Sequence, residues 1–383
     1  MAKGRERAVP ECGPRVFTPA DQSAGHSRDR GRGAGRAPRC HRSAPANHVT
    51  QGFVRVVEMN SPESQKSVST TESANAVFAS AVCLPLLRDQ QNEDGGWGFH
   101  PKAESRVEPT CWALLAMMQV ESTAADREIL ERSLQYLRSA QLPDGSWPAT
   151  PGEKTGCWVT SLACWVLSRE ENGAVTAGLE WLCRDWPWDS SLWQRFLRRF
   201  TSERNISPQN DAYRGWGWTP RTSSWVEPTS FALILFREAS ERALPPGSRK
   251  RQQLAEAMLY DRMCPGGGWN CGNPRVYGIP GEPLVIPTVW ALLALRVNAN
   301  RAENQMSLNW LLRVLPNVQS PASLALARIC IETYGWSGPL PEARLSAFYD
   351  RHQFLRSIPV TAWTCLAWNA RPKLFANAAR GRA

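Results

Sequence analysis

Cysteine, histidine and aspartate are the residue types in this chain that could bind a metal ion or act as nucleophiles. The chain holds eleven cysteines and five histidines, but no Cys-x-x-Cys pair, and only two of the histidines lie beyond residue 58. Asp261, Cys264 and Cys271 are close in sequence, yet no histidine follows them at the spacing of a zinc site. Several other cysteines lie in apolar runs, which is typical of reduced, buried thiols in a cytosolic protein. We therefore expect no metal site and no cofactor.

The residues around these cysteines belong to an internal repeat. Two stretches share the pattern Gln-x-x-Asp-Gly-x-Trp: Gln91, Asp94, Gly95 and Trp97 in the first, and Gln141, Asp144, Gly145 and Trp147 in the second. Trp216 and Trp269 follow glycine-rich stretches that resemble the same turn. A threonine follows each tryptophan, 13 residues later in three copies and 19 residues later in the fourth. The fourth copy thus carries an insertion of six residues.

An apolar run follows each of these threonines and predicts a helix that is buried on most sides. Threonine is a good N-cap residue, and the proline before it in three copies disfavours an earlier helical start. We therefore expect inner helices to begin near residues 110, 160, 229 and 288. Two weaker candidates begin near residues 322 and 361.

Amphipathic helices are predicted between the inner ones. Residues 126–140 place leucines and an isoleucine on one face and charged residues on the other. Comparable outer helices are predicted over residues 73–88, 174–183, 248–263, 302–313 and 342–356, with an extra helix over residues 186–200. Six outer helices alternating with six inner ones favour a single closed, all-α toroid, the α6/α6 double ring, within residues 59–383.

The repeated turn residues have a structural interpretation. Asp-Gly is suited to a tight turn after an outer helix, with glycine taking a positive φ. Tryptophan offers a flat face, against which glutamine can lie while it bonds a neighbouring helix end. We expect these residues to join successive helix pairs rather than to take part in catalysis.

These repeats resemble the QW motifs of squalene–hopene and oxidosqualene cyclases. More broadly, the chain is similar to proteins with prenyltransferase/squalene-oxidase repeats over about residues 85–370. The resemblance implies an α6/α6 toroid and a polyprenyl or triterpenoid substrate. Full-length triterpene cyclases of this family have two toroids, whereas this chain has room for one.

The catalytic motifs that the resemblance would imply are absent. There is no Asp-x-Asp-Asp-Thr proton-donor sequence, no Asp-Asp-x-x-Asp sequence, no zinc ligand set and no thioester sequence. Glu108 and Glu227 stand where the donor aspartate would lie, without its flanking acids, and are the candidate catalytic acids. A glutamate at a helix N-terminus is stabilised as the anion, which makes it a poor proton donor. We therefore expect both residues to stabilise the N-termini of their helices rather than to donate protons.

Aromatic side chains on the inner helices are the candidate ligand-binding residues. An aromatic lining can stabilise a carbocation or hold an isoprenoid chain, although such rings also pack helices together. The candidates for a cavity lining are Trp112, Trp165, Phe231, Trp290 and Trp363.

The net charge of +10 is concentrated at the N-terminus. Residues 1–58 hold 11 Lys and Arg against 5 Asp and Glu, without hydrophobic periodicity, and are expected to be disordered. We expect translation to begin at Met59, which would leave residues 1–58 outside the protein. A nucleic-acid partner would depend on this tail alone and is not expected. The chain has no apolar run of 18 residues and no apolar stretch typical of a secretory signal.

Two functions are consistent with these features. The first is a squalene or terpene cyclase-like protein that binds or cyclises a polyprenyl or triterpenoid substrate in an aromatic-lined cavity. The second is a non-catalytic toroid that binds a lipid or a partner protein. We expect a cytoplasmic protein, and the partners under consideration are an isoprenoid or lipid ligand, a peripheral membrane contact and a second toroid from another chain.

Overall fold

The computed structural model describes most of the chain beyond residue 75. Its described residues are 76–119, 123–169, 173–185, 187, 191, 193, 196, 209–336, 343–368 and 375. The predicted basic tail, the predicted start at Met59 and most of the predicted helix over residues 186–200 lie outside them.

Twelve α-helices follow one another in the described residues, in the predicted alternation of outer and inner. The outer helices are α1 (Leu84–Asp89), α3 (Ala124–Ser139), α5 (Gly173–Arg184), α7 (Ser248–Asp261), α9 (Ala302–Val314) and α11 (Ala343–His352). The inner helices are α2 (Val107–Met117), α4 (Val159–Leu167), α6 (Val226–Glu238), α8 (Val285–Leu295), α10 (Pro321–Thr333) and α12 (Ile358–Trp368).

Short elements complete the described chain. A π-helical turn, Ala79–Cys83, leads into α1, and short 3-10 turns span Glu241–Ala243, Arg296–Asn298, Leu315–Asn317 and Gln353–Arg356. An antiparallel hairpin of β1 (Arg275–Val276) and β2 (Ile279–Pro280) precedes α8, with Val276 paired to Ile279.

The two sets of helices differ in burial as the sequence predicts. All nine residues of α4 are buried, whereas α3 buries only one face, which carries Leu134 and Leu137. Each inner helix packs against the next one along the chain, and α12 packs against α2. The core therefore lies among the inner helices, with the amphipathic helices outside it.

One hydrogen-bond pattern recurs at the four tryptophans of the repeat. Each backbone N–H donates to a threonine hydroxyl at 2.9 Å: Trp97 to Thr110, Trp147 to Thr160, Trp216 to Thr229 and Trp269 to Thr288. Each indole N–H donates at 2.6 to 3.0 Å to a leucine carbonyl near the end of the preceding outer helix: Leu87, Leu137, Leu182 and Leu259. One tryptophan thus joins an outer helix to the inner helix that follows it.

The prediction that these threonines are N-caps is wrong. Helix α2 begins at Val107, three residues before Thr110, and α6 and α8 likewise begin three residues before their threonines. Proline is tolerated between the helix start and the threonine because first-turn N–H groups have no intrahelical partner. Because these threonines do not cap their helices, the hydroxyl can accept a hydrogen bond from the tryptophan N–H.

In the first two repeats, glutamine and glycine tie the turn to the next outer helix. Gln91 donates to the carbonyl of Ile129 in α3 at 3.0 Å, and Gln141 donates to that of Ala174 in α5 at 2.9 Å. Gly95 has φ +87°, and a Cβ there would lie 2.5 Å from the Arg132 carbonyl oxygen. The predicted positive φ and the predicted contact with a neighbouring helix are both present.

Replacing Thr160 with valine tests the importance of this junction. Valine keeps the shape of threonine but leaves the buried Trp147 N–H without an acceptor, so we expect a loss of about 1–3 kcal/mol in the free energy of unfolding. Urea denaturation of the purified protein measures it. Thr222 is the matched control, because it is exposed and its hydroxyl bonds only the nearby Thr219 carbonyl. An equal effect of Thr222→Val would contradict the special role of the tryptophan contact.

Candidate functional site

The two candidate acids lie at the same end of the inner helices. Glu108 is the second residue of α2 and Glu227 the second residue of α6, and both side chains are half-buried. Burial raises the pKa of Glu108 to about 7; the Trp112 indole N–H lowers that pKa, and the negative charge of Glu227 raises it. Burial raises the pKa of Glu227 to about 6. Burial therefore brings the pKa of each carboxyl close to neutral pH.

The expectation that these glutamates are stabilised anions is therefore wrong. A helix N-terminus favours the charged carboxylate, but loss of hydration favours the neutral acid, and here the second effect is larger. Glu108 is about half protonated at pH 7, which makes it a hydrogen-bond donor as well as an acceptor.

The five aromatic residues predicted from the sequence meet at the centre of the inner helices. The Trp112 ring lies 5.3 Å from that of Trp290, 5.6 Å from Trp363, 6.0 Å from Phe231 and 6.4 Å from Trp165, between ring centroids. Trp363 is half-buried and the other four are buried. These five residues, the aromatic centre, come from α2, α4, α6, α8 and α12. Their rings contact one another, so they fill the space between the helices.

The indole N–H groups of the aromatic centre differ from those of the repeat. All four repeat indoles donate to helix carbonyls. In the part of the chain that the structure describes, three other buried indole N–H groups have no hydrogen-bond partner, those of Trp165, Trp363 and Trp368, while the Trp112 indole N–H interacts with the Glu108 carboxyl. A buried donor without an acceptor costs about 1–3 kcal/mol, so the centre holds two donors, those of Trp165 and Trp363, that a ligand acceptor would satisfy.

Phe375 extends the aromatic centre toward the C-terminal ends of the inner helices. Its ring stacks on Trp165 at 5.7 Å, and the guanidinium of Arg296 lies 4.3 Å from its centroid. Arg296 also pairs with Glu238 in α6. Sequence reasoning missed Phe375 because it follows the last helix and no periodic pattern marks it.

Trp158 is a further aromatic residue beside the aromatic centre. Its ring lies 5.1 Å from Phe231 and 5.2 Å from Trp218. It lies directly before α4, as expected for an aromatic residue that an inner helix supplies.

Metal and thiol chemistry find little support in the described part of the chain. No group of three or more His, Cys, Asp or Glu side chains there is arranged to hold a metal ion. Burial raises the pKa of the Cys157 thiol to about 11 and raises the pKa values of Cys111 and Cys164 as well, which leaves these thiols protonated at neutral pH. None of the described helices is both long and apolar enough to cross a membrane.

Comparison with known proteins supports the cyclase resemblance over part of the chain. Residues 63–159 match the family model of the squalene-hopene cyclase C-terminal domain. A segment of 89 residues is 39% identical to mouse (Mus musculus) lanosterol synthase and covers 21% of this chain and 12% of that enzyme. A segment of 95 residues is 35% identical to lanosterol synthase of Aspergillus fumigatus and covers 22% of this chain and 12% of that enzyme. The resemblance predicted from the repeats is confirmed, and the matched segment spans about an eighth of each synthase.

A solved structure shares the fold. The crystal structure of a protein from Actinoplanes aligns with a TM-score of 0.51 and 15% identity, and it covers 78% of this chain and 100% of that one. At 15% identity the match supports the mostly helical fold alone. The family match includes Glu108 and Trp112, whereas Glu227 and the other aromatic residues of the centre lie beyond it.

The pH dependence of stability tests the protonation of Glu108. Because its folded pKa is about 7 and its ordinary value 4.5, the folded state binds more protons between these values. The free energy of unfolding should therefore fall as the pH rises from 4.5 to about 7. We expect Glu108→Gln to increase the free energy of unfolding at pH 8, by on the order of 2 kcal/mol, and to leave it unchanged at pH 4. Urea denaturation at both pH values measures this.

Glu282→Gln is the matched control, because Glu282 is exposed and should show little effect at either pH. Destabilisation by Glu108→Gln at pH 8 would instead indicate a stabilised anion.

Proposed function

We propose that this chain binds an oxygen-bearing isoprenoid, either polyprenyl or triterpenoid, at the aromatic centre of a closed α6/α6 toroid. The observation that carries the proposal is the convergence of five aromatic rings with two unpaired indole N–H groups, those of Trp165 and Trp363. The rings offer apolar faces to a hydrocarbon, and the N–H groups offer donors to an oxygen. A pure hydrocarbon would leave those donors unpaired.

Closure of the toroid is supported by contacts between the first and last helix pairs. Helix α12 packs against α2, and the Ile358 N–H donates to the Phe99 carbonyl at 3.0 Å. The thiol of Cys365 also lies 3.8 Å from the Ala79 carbonyl oxygen. A closed ring gives each inner helix two inner neighbours, so helices would shield a ligand at the centre from water around its circumference.

A ligand has to separate rings that now touch. Trp363 is the half-buried member of the centre, so its ring has more freedom than the other four. At the opposite end the centre is covered by Phe375, which stacks on Trp165. We propose that ligands displace Trp363 toward the end where Glu108 lies and leave Phe375 in place.

Glu108 limits the chemistry that a bound ligand could undergo. A carboxyl with a pKa of about 7 is a weak acid, and protonation of an alkene requires a much stronger one. The same neutral carboxyl can donate a hydrogen bond to an epoxide or hydroxyl oxygen. If the chain is a cyclase, its reaction would begin at an oxygen function, with the aromatic faces stabilising the cation that forms.

A non-catalytic toroid is the second candidate function. The observation that favours it is the direct contact among the five central rings, which occupy the space that a substrate would need. In that case the toroid would serve as a scaffold for a partner protein or lipid. A second toroid from another chain and a cytoplasmic location remain predictions from the sequence.

Two ligands that differ by one oxygen atom test the binding proposal. We expect 2,3-oxidosqualene to raise the melting temperature of the purified chain more than squalene does, because only the former has a hydrogen-bond acceptor. Trp363→Phe should weaken oxidosqualene binding about fivefold to tenfold and change squalene binding much less, since a smaller aromatic ring remains and one donor is lost. Titration monitored by tryptophan fluorescence measures both affinities.

Trp336→Phe is the matched control, because Trp336 is a partly exposed tryptophan outside the aromatic centre. Absence of any shift with either ligand would favour the protein scaffold. Equal affinity for both ligands would contradict the role of the oxygen atom.

Product analysis separates binding from catalysis. If oxidosqualene is cyclised by the wild type, and Glu108→Gln binds it but forms no product, Glu108 is the acid of a cyclase. Glu227→Gln is the companion variant, since Glu227 has the same helix position. Tight binding by the wild type without conversion would identify a carrier of the isoprenoid.

A further inference from the structure

The rings of the aromatic centre come from two depths along the inner helices. Trp112, Phe231 and Trp290 each follow the repeat threonine of their helix by two residues, whereas Trp165 follows Thr160 by five. All four repeat threonines accept the same hydrogen bond, so they mark one level of the ring. At a rise of about 1.5 Å per residue, the backbone of Trp165 lies about 4.5 Å nearer the C-terminal ends of the inner helices.

Phe375 covers the aromatic centre at this deeper level. Its ring is stacked on that of Trp165, with 17° between the ring planes and 5.7 Å between the centroids. The residue is only 6% exposed, although it comes seven residues after the end of α12 at Trp368. A side chain from outside the helices thus ends the row of rings.

A guanidinium contacts each ring of this stacked pair. That of Arg296 lies 4.3 Å from the Phe375 centroid and is paired with Glu238 at the end of α6. That of Arg169 lies 5.7 Å from the Trp165 ring and donates to the Trp165 carbonyl at 2.9 Å. Charged groups are unfavourable neighbours for a hydrocarbon, so an apolar ligand would end at the two rings.

The other end of the aromatic centre is closed less tightly. Trp363 is half-buried there, and the Glu108 carboxyl interacts with the Trp112 indole N–H. A ligand that enters from this end and keeps its oxygen near Glu108 extends toward Trp165. Glu108 comes two residues before its repeat threonine, so the two levels are about 10 Å apart along the helices.

We infer that Phe375 forms the closed end of the ligand site, the floor, and thereby sets the length of isoprenoid chain that the aromatic centre accepts. The inference rests on the proposed isoprenoid ligand, whose site it delimits. Phe375 would be a specificity-determining residue and not a catalytic one, because it lies at the end opposite Glu108. Its benzyl ring is close in size to one isoprene unit, so its removal makes room for one more unit.

A series of isoprenoid alcohols tests this inference. The probes are geraniol, farnesol, geranylgeraniol and geranylfarnesol, each one isoprene unit longer than the last, and titration of the full chain monitored by tryptophan fluorescence gives the affinity for each. In the wild type, we expect the affinity to rise with length only until the alcohol reaches the floor. In Phe375→Ala the rise should continue for one further unit, so the first alcohol too long for the wild type should bind about tenfold more tightly.

Phe236→Ala is the matched control. Phe236 is also buried and also stacked on a tryptophan, with its centroid 5.5 Å from that of Trp216, but it lies outside the aromatic centre. This variant should lose stability as Phe375→Ala does and keep the length dependence of the wild type. Phe375→Leu retains more of the packing and should change the length dependence in the same direction by a smaller factor. Thermal melts check that each variant folds.

Each remaining outcome decides against a stated part of the argument. If the wild type binds the alcohols and neither Phe375 variant changes the length dependence, the inference is overturned and the proposed function stands. A wild-type affinity that rises through the whole series has the same meaning, since nothing then limits the chain. If neither the alcohols nor oxidosqualene bind the wild type, the proposed function fails and the inference fails with it. Should Phe375→Ala not fold, Phe375→Leu alone decides.

Discussion

The hydrogen bond from a tryptophan backbone N–H to a threonine hydroxyl is the contact on which the arrangement of the helices depends. It occurs four times at 2.9 Å, and each time the same tryptophan also donates its indole N–H to the end of an outer helix. One residue thereby sets the position of an outer helix, a turn and an inner helix. In three copies the tryptophan and threonine are 13 residues apart and in the fourth 19, so the loop length varies while the contact stays.

The structure uses tryptophan in two chemically different ways. At the turns, the flat ring is buried and its N–H is paired, which leaves nothing for a ligand. At the centre, Trp165 is equally buried but its N–H group is unpaired, and Glu108, which interacts with the Trp112 N–H, adds a carboxyl with a raised pKa. Donors without acceptors raise the energy of the centre, and an oxygen-bearing apolar ligand would lower it.

Much of the fold could be predicted from the sequence, because hydrophobic periodicity depends only on neighbouring residues. The twelve helices and the convergence of Trp112, Trp290 and Trp363 follow from that periodicity and from the repeat. The predicted starts of the inner helices were wrong. Proline is tolerated in the first turn of a helix, because the N–H groups there have no intrahelical partner. The predicted charge of Glu108 was wrong because its burial and the nearby negative charge of Glu227 both depend on residues distant in sequence. No periodic pattern predicted Phe375 or the hairpin before α8. The hairpin was visible in the sequence only as the six-residue insertion in the fourth repeat.

Mass spectrometry of an organic extract from the chain purified from its native cells is the direct test of a ligand at the aromatic centre. We expect an isoprenoid that carries oxygen, present at close to one molecule per chain. Its loss from a variant in which Trp112 and Trp363 are both phenylalanine would locate it at the aromatic centre. An extract without isoprenoid, or with phospholipid alone, would overturn the proposed ligand and identify the central rings as packing.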